Sequence, residues 1–324
     1  MNDALTPKDR PHPALIASLV GLTTAIWAAN FLVAKAGLKQ LAPLTLASFR
    51  VVLAGLIMVP IYRARRKAAG APSGKSARLG SRDLWTFAYL GFFGVVTNQV
   101  CFTVGLAFTS VGHSSLIIAM GPIFILLFAR LGGMETLTSK KVLGMAVSFT
   151  GVALLAAEHG LSLRSGTFLG DVITLCGSLG FSLYAVLGKK VARKYDSVTM
   201  NAFNYFAGAL LVAPLAIRQA LALTRAGGWG SVNWKGWAAV VYMAGFASVL
   251  AYLIYFWLLR HLAASRLGSF SYLLPVVATT LGILVLGEKL TGTLLVGGGL
   301  VLLGLGVTES AAREHKLGEE PILN

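Results

Sequence analysis

Five histidines, twelve carboxylates and two cysteines are the chain's whole stock of general acids, general bases, thiols and strong metal ligands. Their spacing suits none of the familiar catalytic arrangements. No HExxH pair, GxSxG turn or P-loop occurs, and the histidines (His12, His113, His159, His261, His315) form no close ligand pair. Cys101 and Cys176 each lie inside an apolar block, so neither a disulfide framework nor a CxxC site is expected. Every Asp and Glu falls in a tail, a loop or the first or last turn of an apolar segment. A metal site, a cofactor and direct nucleotide driving are therefore not expected. Because no carboxylate reaches the middle of such a segment, movement down a gradient or exchange fits at least as well as proton antiport. His113 and Asp171, near segment ends, read as capping or solvated groups.

The residues left to do chemistry are polar and aromatic side chains inside apolar segments. Arg50 sits in "LTLASFRVVLAGLIMVP" (44–60), about 10 Å from the segment's start by helical rise. It could snorkel, bond carbonyls freed at helix ends, or meet a substrate carboxylate. Trp27 and Asn30 are one turn apart and about 20 Å into the first segment, too deep for an interfacial anchor. Gly91, Gly94, Asn98, Phe102 and Gly105 share one helical stripe, matched by Ala244, Ala247, Ala251, Tyr255 and Leu258. The glycines suit close packing. Asn98, Gln99, Tyr252, Tyr255 and Tyr272 should face protein or a water-filled cavity, because polar groups facing lipid are costly. Pro122 and Pro275 each leave a carbonyl unpaired one turn earlier, as a kink or as a hinge. Metal-binding residues: none are expected.

These residues need membrane helices to hold them. The 324 residues are 56% hydrophobic and 12% charged, too oily for a soluble domain. The apolar residues come in blocks long enough to cross a hydrocarbon core as helix. The expected spans are 14–34, 44–62, 84–106, 111–130, 141–157, 168–188, 198–217, 236–259, 266–286 and 291–308. The fold class is thus an all-α integral membrane protein of ten transmembrane helices, with the polar tail after Thr308 expected to be disordered. With the N-terminus inside, twenty Lys and Arg fall in inside segments and seven outside, with Arg50 the twenty-eighth. That asymmetry puts both termini in the cytoplasm. It also accounts for the net charge of +16 without nucleic acid.

The chain repeats itself. A shift of 154 residues lays "PLTLASFRVVLAGLIMVP" (43–60) on "SVTMNAFNYFAGALLVAP" (197–214), Trp27 on Phe181, Asn30 on Tyr184 and Lys35 on Lys189. A shift of 153 lays Pro122 on Pro275, "ETLT" (135–138) on "EKLT" (288–291), Gly144 on Gly297 and Gly151 on Gly304. The repeat unit is five spans, an odd number, so the second copy must be inverted, an architecture of many secondary transporters. The division is a cytoplasmic tail (1–13), a first repeat (14–157), a second repeat (168–308) and a cytoplasmic tail (309–324).

The Trp27-x2-Asn30 and Phe181-x2-Tyr184 pairs ending in a Lys, the Arg early in span two, and the Pro…Glu-x-Leu-Thr…Gly…Gly run in both halves resemble the EamA family of the drug/metabolite transporter superfamily. The resemblance covers about residues 14–308. It implies ten helices, both ends cytoplasmic, and export or exchange of small metabolites such as amino acids across a bacterial inner membrane. A channel and an intramembrane enzyme acting on a small amphipathic substrate are the alternatives. The substrate-binding candidates are Trp27, Asn30, Arg50, Asn98, Gln99, Phe102, Tyr184, Tyr252, Tyr255 and Tyr272, with Pro122 and Pro275 as hinges. The partners expected are a small molecule and the lipid bilayer. A monomer is compatible with the sequence, which does not set the oligomeric state.

Overall fold

The computed structural model describes residues 12–68, 80–133, 137–158, 166–191, 194–261 and 273–319. Ten helices order them: α1 (Pro13–Leu38), α2 (Pro43–Ala68), α3 (Ser81–Phe108), α4 (Val111–Leu131), α5 (Ser139–Ala157), α6 (Gly166–Val191), α7 (Ser197–Arg225), α8 (Trp234–Leu258, continuing to His261), α9 (Leu273–Leu286) and α10 (Gly292–Glu319). No strand occurs among the described residues. Helices α1 to α8 are long and apolar enough to cross a membrane; α9 and the Gly292–Thr308 part of α10 are shorter apolar helices.

Local chemistry explains the boundaries. Pro13 opens α1 at its first position, where its missing N–H costs nothing. The side chains of Ser110, Thr138, Asp196 and Asn233 accept from first-turn amides of α4, α5, α7 and α8. Leu56, Leu210, Leu284 and Leu303 are all well exposed, the outward face of helices solvated by lipid. Two elements run further than their hydropathy. Helix α7 continues to Arg225, and α10 continues to Glu319, so the tail expected to be disordered is helical through that residue.

The packing follows the duplication. Helix α5 lies along α10, and α2 along α7; α1 packs on α8 and α9 just as α6 packs on α3 and α4. Both mate pairs are antiparallel. A Cβ on Gly144 would fall 2.6 Å from the Gly304 carbonyl oxygen, and one on Gly151 would fall 2.5 Å from that of Gly297. Bare backbone at these points is what lets the two helices touch. In the other pair, Thr45 Oγ1 donates to Gln219 Oε1 at 2.9 Å, while Asn201 Nδ2 reaches Met58 Sδ at 3.8 Å.

Two irregularities bear on the site. Helices α3 and α8 each contain a π-helical stretch, Gly91–Thr97 and Met243–Leu250, at corresponding places in the two repeats. Helix α4 breaks at Met120 and restarts at Gly121, with Pro122 in the first turn of its second half. Pro275 is buried near the start of α9.

Candidate functional site

Arg50 does not snorkel. Its side chain points into the bundle, and the residue is 3% exposed. Its Nη2 donates to Ser248 Oγ at 3.0 Å, and the guanidinium carbon lies 5.8 Å from the centre of the Phe102 ring. Its partner is a hydroxyl in the π-helical stretch of α8 rather than a freed helix-end carbonyl. Ser248 Oγ in turn donates to Gln99 Oε1 at 3.1 Å, and Gln99 Nε2 donates to the Tyr205 hydroxyl. Arg50 Nε and Nη1 have no hydrogen-bond partner among the described residues.

A second polar string runs alongside. The Tyr252 hydroxyl donates to Asn98 Oδ1 at 3.3 Å, and Asn98 Nδ2 donates to the Gly177 carbonyl at 3.3 Å. Asn204 Nδ2 donates to the Tyr184 hydroxyl at 3.1 Å, and Asn204 Oδ1 has no partner among the described residues. Asn30 is buried, and its Oδ1 likewise has no partner among the described residues. Tyr184 is seated by Gly94, where a Cβ would fall 2.4 Å from the tyrosine ring.

Aromatic rings wall these groups in. Trp27 stands 5.7 Å from both Tyr252 and Tyr255, its Nε1 donating to the Ala247 carbonyl at 3.2 Å. That acceptor also lies in the π-helical stretch, where wider turns loosen the backbone ladder. Phe181 contacts Tyr184, Tyr252 and Tyr255, and Phe31 lies edge-on to Phe102.

The structure thus brings Trp27, Arg50, Asn98, Gln99, Phe102, Tyr184, Tyr252 and Tyr255 into linked contacts. Asn30 is placed one turn from Trp27. Tyr272 lies outside the described residues. Sequence reasoning missed Ser248, Tyr205 and Phe181 as site members. Ser248 lies four residues after Ala244 and three before Ala251, on the same helical face, but a serine in an apolar span can also bond its own helix backbone, so its type alone does not single it out. Tyr205 carries a readable signal, since it is a polar group inside an apolar span and one residue from Asn204, the repeat mate of Arg50.

Outside this region, two ionic groups join the repeats. His113 and Asp171 are buried, each 3% exposed, so the solvated reading of them does not hold. His113 Nδ1 lies 3.0 Å from Asp171 Oδ2, and its Nε2 lies 2.9 Å from Glu158 Oε2. At the opposite end of the bundle, Lys194 Nζ lies 2.7 and 2.9 Å from the two Asp83 oxygens. This hydrogen bonding raises the Lys194 ammonium above its ordinary pKa.

A helical membrane protein in two antiparallel-packed halves, with a buried polar and aromatic centre drawn from both, has the form of a small-molecule transporter. The chain belongs to the EamA-like transporter family, whose sequence model matches it twice, over residues 15–157 and 168–309. It is similar to an uncharacterized transporter of Archaeoglobus fulgidus, 28% identical over 301 residues that cover 92% of this chain and 98% of the relative. It is also similar to the uncharacterized inner membrane transporter YedA of Escherichia coli K12, 26% identical over 268 residues that cover 82% and 81% of the two chains. One crystal structure shares the fold at a TM-score of 0.60 and 19% identity, covering 94% of this chain and all of that one.

Proposed function

We propose that this chain is a secondary transporter that exports or exchanges amino acids or related small organic compounds by alternating access across a bacterial inner membrane. Ten spans in two inverted five-helix repeats, 14–157 and 168–308, place both terminal segments in the cytoplasm. The observation that carries this reading is the set of unmet hydrogen-bonding groups in the centre. Buried polar groups are normally satisfied, yet among the described residues Arg50 keeps two donors without a partner while Asn30 and Asn204 each keep an acceptor without one. Free guanidinium donors suit a carboxylate, free amide oxygens suit an ammonium, and the rings around Trp27 suit an organic side chain. Trp27, Asn30, Arg50, Asn98, Gln99, Phe102, Tyr184, Tyr252 and Tyr255 are the binding residues. Tyr272 is proposed to join them. Pro122 and Pro275, in corresponding helices, are the hinges on which the repeats exchange their openings. The test is counterflow in proteoliposomes with labelled amino acids and organic cations. Saturable counterflow of an amino acid is expected; flux that neither saturates nor shows counterflow would make the protein a channel.

A further inference from the structure

The Glu158–His113–Asp171 cluster stands apart along α6, with Asp171 thirteen residues from Tyr184, about 20 Å by helical rise. It gathers the ends of four helices from both repeats. His113 is in the first turn of α4, Glu158 caps the C-terminus of α5, and Asp171 is in the second turn of α6. Thr109 Oγ1 donates to Asp171 Oδ1, and Lys35 Nζ, near the end of α1, donates to the Thr109 carbonyl at 2.7 Å. Glu288, between α9 and α10, accepts from the amides of Val111 and Gly112 at 2.8 and 3.3 Å. Lys35, Glu158, Asp171 and Glu288 are thus the charged groups that the neighbouring elements bring to His113 among the described residues.

The geometry requires a proton. A neutral imidazole has one N–H and one bare nitrogen. With both ring nitrogens about 3 Å from carboxylate oxygens, a neutral ring between two ionised carboxylates would set a lone pair against a negative oxygen. The arrangement therefore holds one proton more than the fully deprotonated triad, either as an imidazolium or on one carboxyl oxygen. We propose that Glu158, His113 and Asp171 form a proton-binding latch, closed when the proton is bound and released when it leaves, which controls access to the transport path from that end of the bundle. This rests on the transporter reading.

The two arms of the latch are unequal. Asp171 is also held by the Thr109 hydroxyl. Glu158 sits at the C-terminus of α5, where the dipole opposes it. When the imidazolium gives its proton to water, His113 becomes neutral and keeps a single N–H. That N–H stays with Asp171, and Glu158 faces a bare nitrogen. The end of α5 then parts from α4: one N–H bond breaks, one O–H bond forms on the water that takes the proton, and the hydrogen bond between His113 and Glu158 is lost.

The experiment uses the full chain in lipid, with Cys101 and Cys176 replaced and spin labels at the exposed positions Lys39 and Ala157. The label distance is followed between about pH 5 and pH 8, the range in which an imidazole ordinarily charges. A short, narrow distribution at low pH that lengthens and broadens as pH rises is expected. Glu158→Gln, whose amide can pair with either form of the ring, should hold the short distance at both pH values. His113→Gln should abolish the pH response. Nitrogen chemical shifts of labelled histidine should report the His113 proton in the unsubstituted chain, even where a variant fails to fold. A distribution that does not move with pH, or one that moves equally in His113→Gln, overturns the latch. The readout needs no cargo, so the latch can fail while counterflow stands, and counterflow can fail while the latch stands.

Discussion

At the residue scale, Arg50 is the most unusual group. A buried guanidinium with two unmet donors costs folding free energy unless something pairs with it. If the partner is the cargo's carboxylate, Arg50→Gln lowers apparent counterflow affinity about ten- to a hundredfold, the worth of a charged hydrogen bond. Arg50→Lys should retain part of it, since the charge survives and the fork does not. The melting temperature of purified Arg50→Gln should be unchanged or higher, because the variant removes an uncompensated charge. Lost melting with unchanged affinity would assign Arg50 to the scaffold. The opposite signs separate the roles on one preparation. Arg50, Gln99 and Tyr252 were legible in the sequence because a polar side chain in an apolar span must turn inward. Ser248 was not, since a serine can satisfy its hydroxyl on its own helix and so need not turn inward, although it shares the face of Ala244 and Ala251. His113 was misplaced because a position near a span's end says nothing of what neighbouring helix ends bring to it.

At the scale of elements, the crossing of α5 and α10 shows what the paired glycines do. A Cβ at Gly304 would lie 2.4 Å from the Gly144 carbonyl oxygen, and backbone on both sides leaves nothing free to shift. Gly304→Ala should cost about 1–3 kcal/mol, the range for overpacking a close contact, read as a lower melting temperature in detergent. Gly306→Ala, two residues on and facing open space, is the control and should melt like the parent. If both variants melt alike, α5 and α10 do not meet backbone to backbone at Gly144 and Gly304. The order of the spans was legible because hydropathy marks the part of a helix that lipid solvates. The helical run beyond Thr308 was not, since polar helix and polar coil share a composition.

At the scale of the molecule, the question is which way each half faces. The shifts of 153 and 154 residues were readable from sequence. The antiparallel packing of α2 on α7 and of α5 on α10 supplies what a sequence shift cannot, the relative direction of the mates. The ends also differ chemically. The Lys194 ammonium is raised above its ordinary value by Asp83. Its link is lost as the pH rises through the raised Lys194 value, in the alkaline range, and also as the pH falls through the Asp83 value, which the same contact lowers. If the repeats are inverted, reporter fusions after residues 75 and 316 should report cytoplasm and one after 226 periplasm. Residue 226 directly follows α7, on the side that the basic residues avoid, and that is also the side of the His113 cluster. A cytoplasmic signal at 226 would place both repeats the same way up. It would contradict the antiparallel contacts of Thr45 with Gln219 and of Met58 with Asn201, and it would leave the positive charges in the sequence between Arg63 and Arg82 without a topological reason.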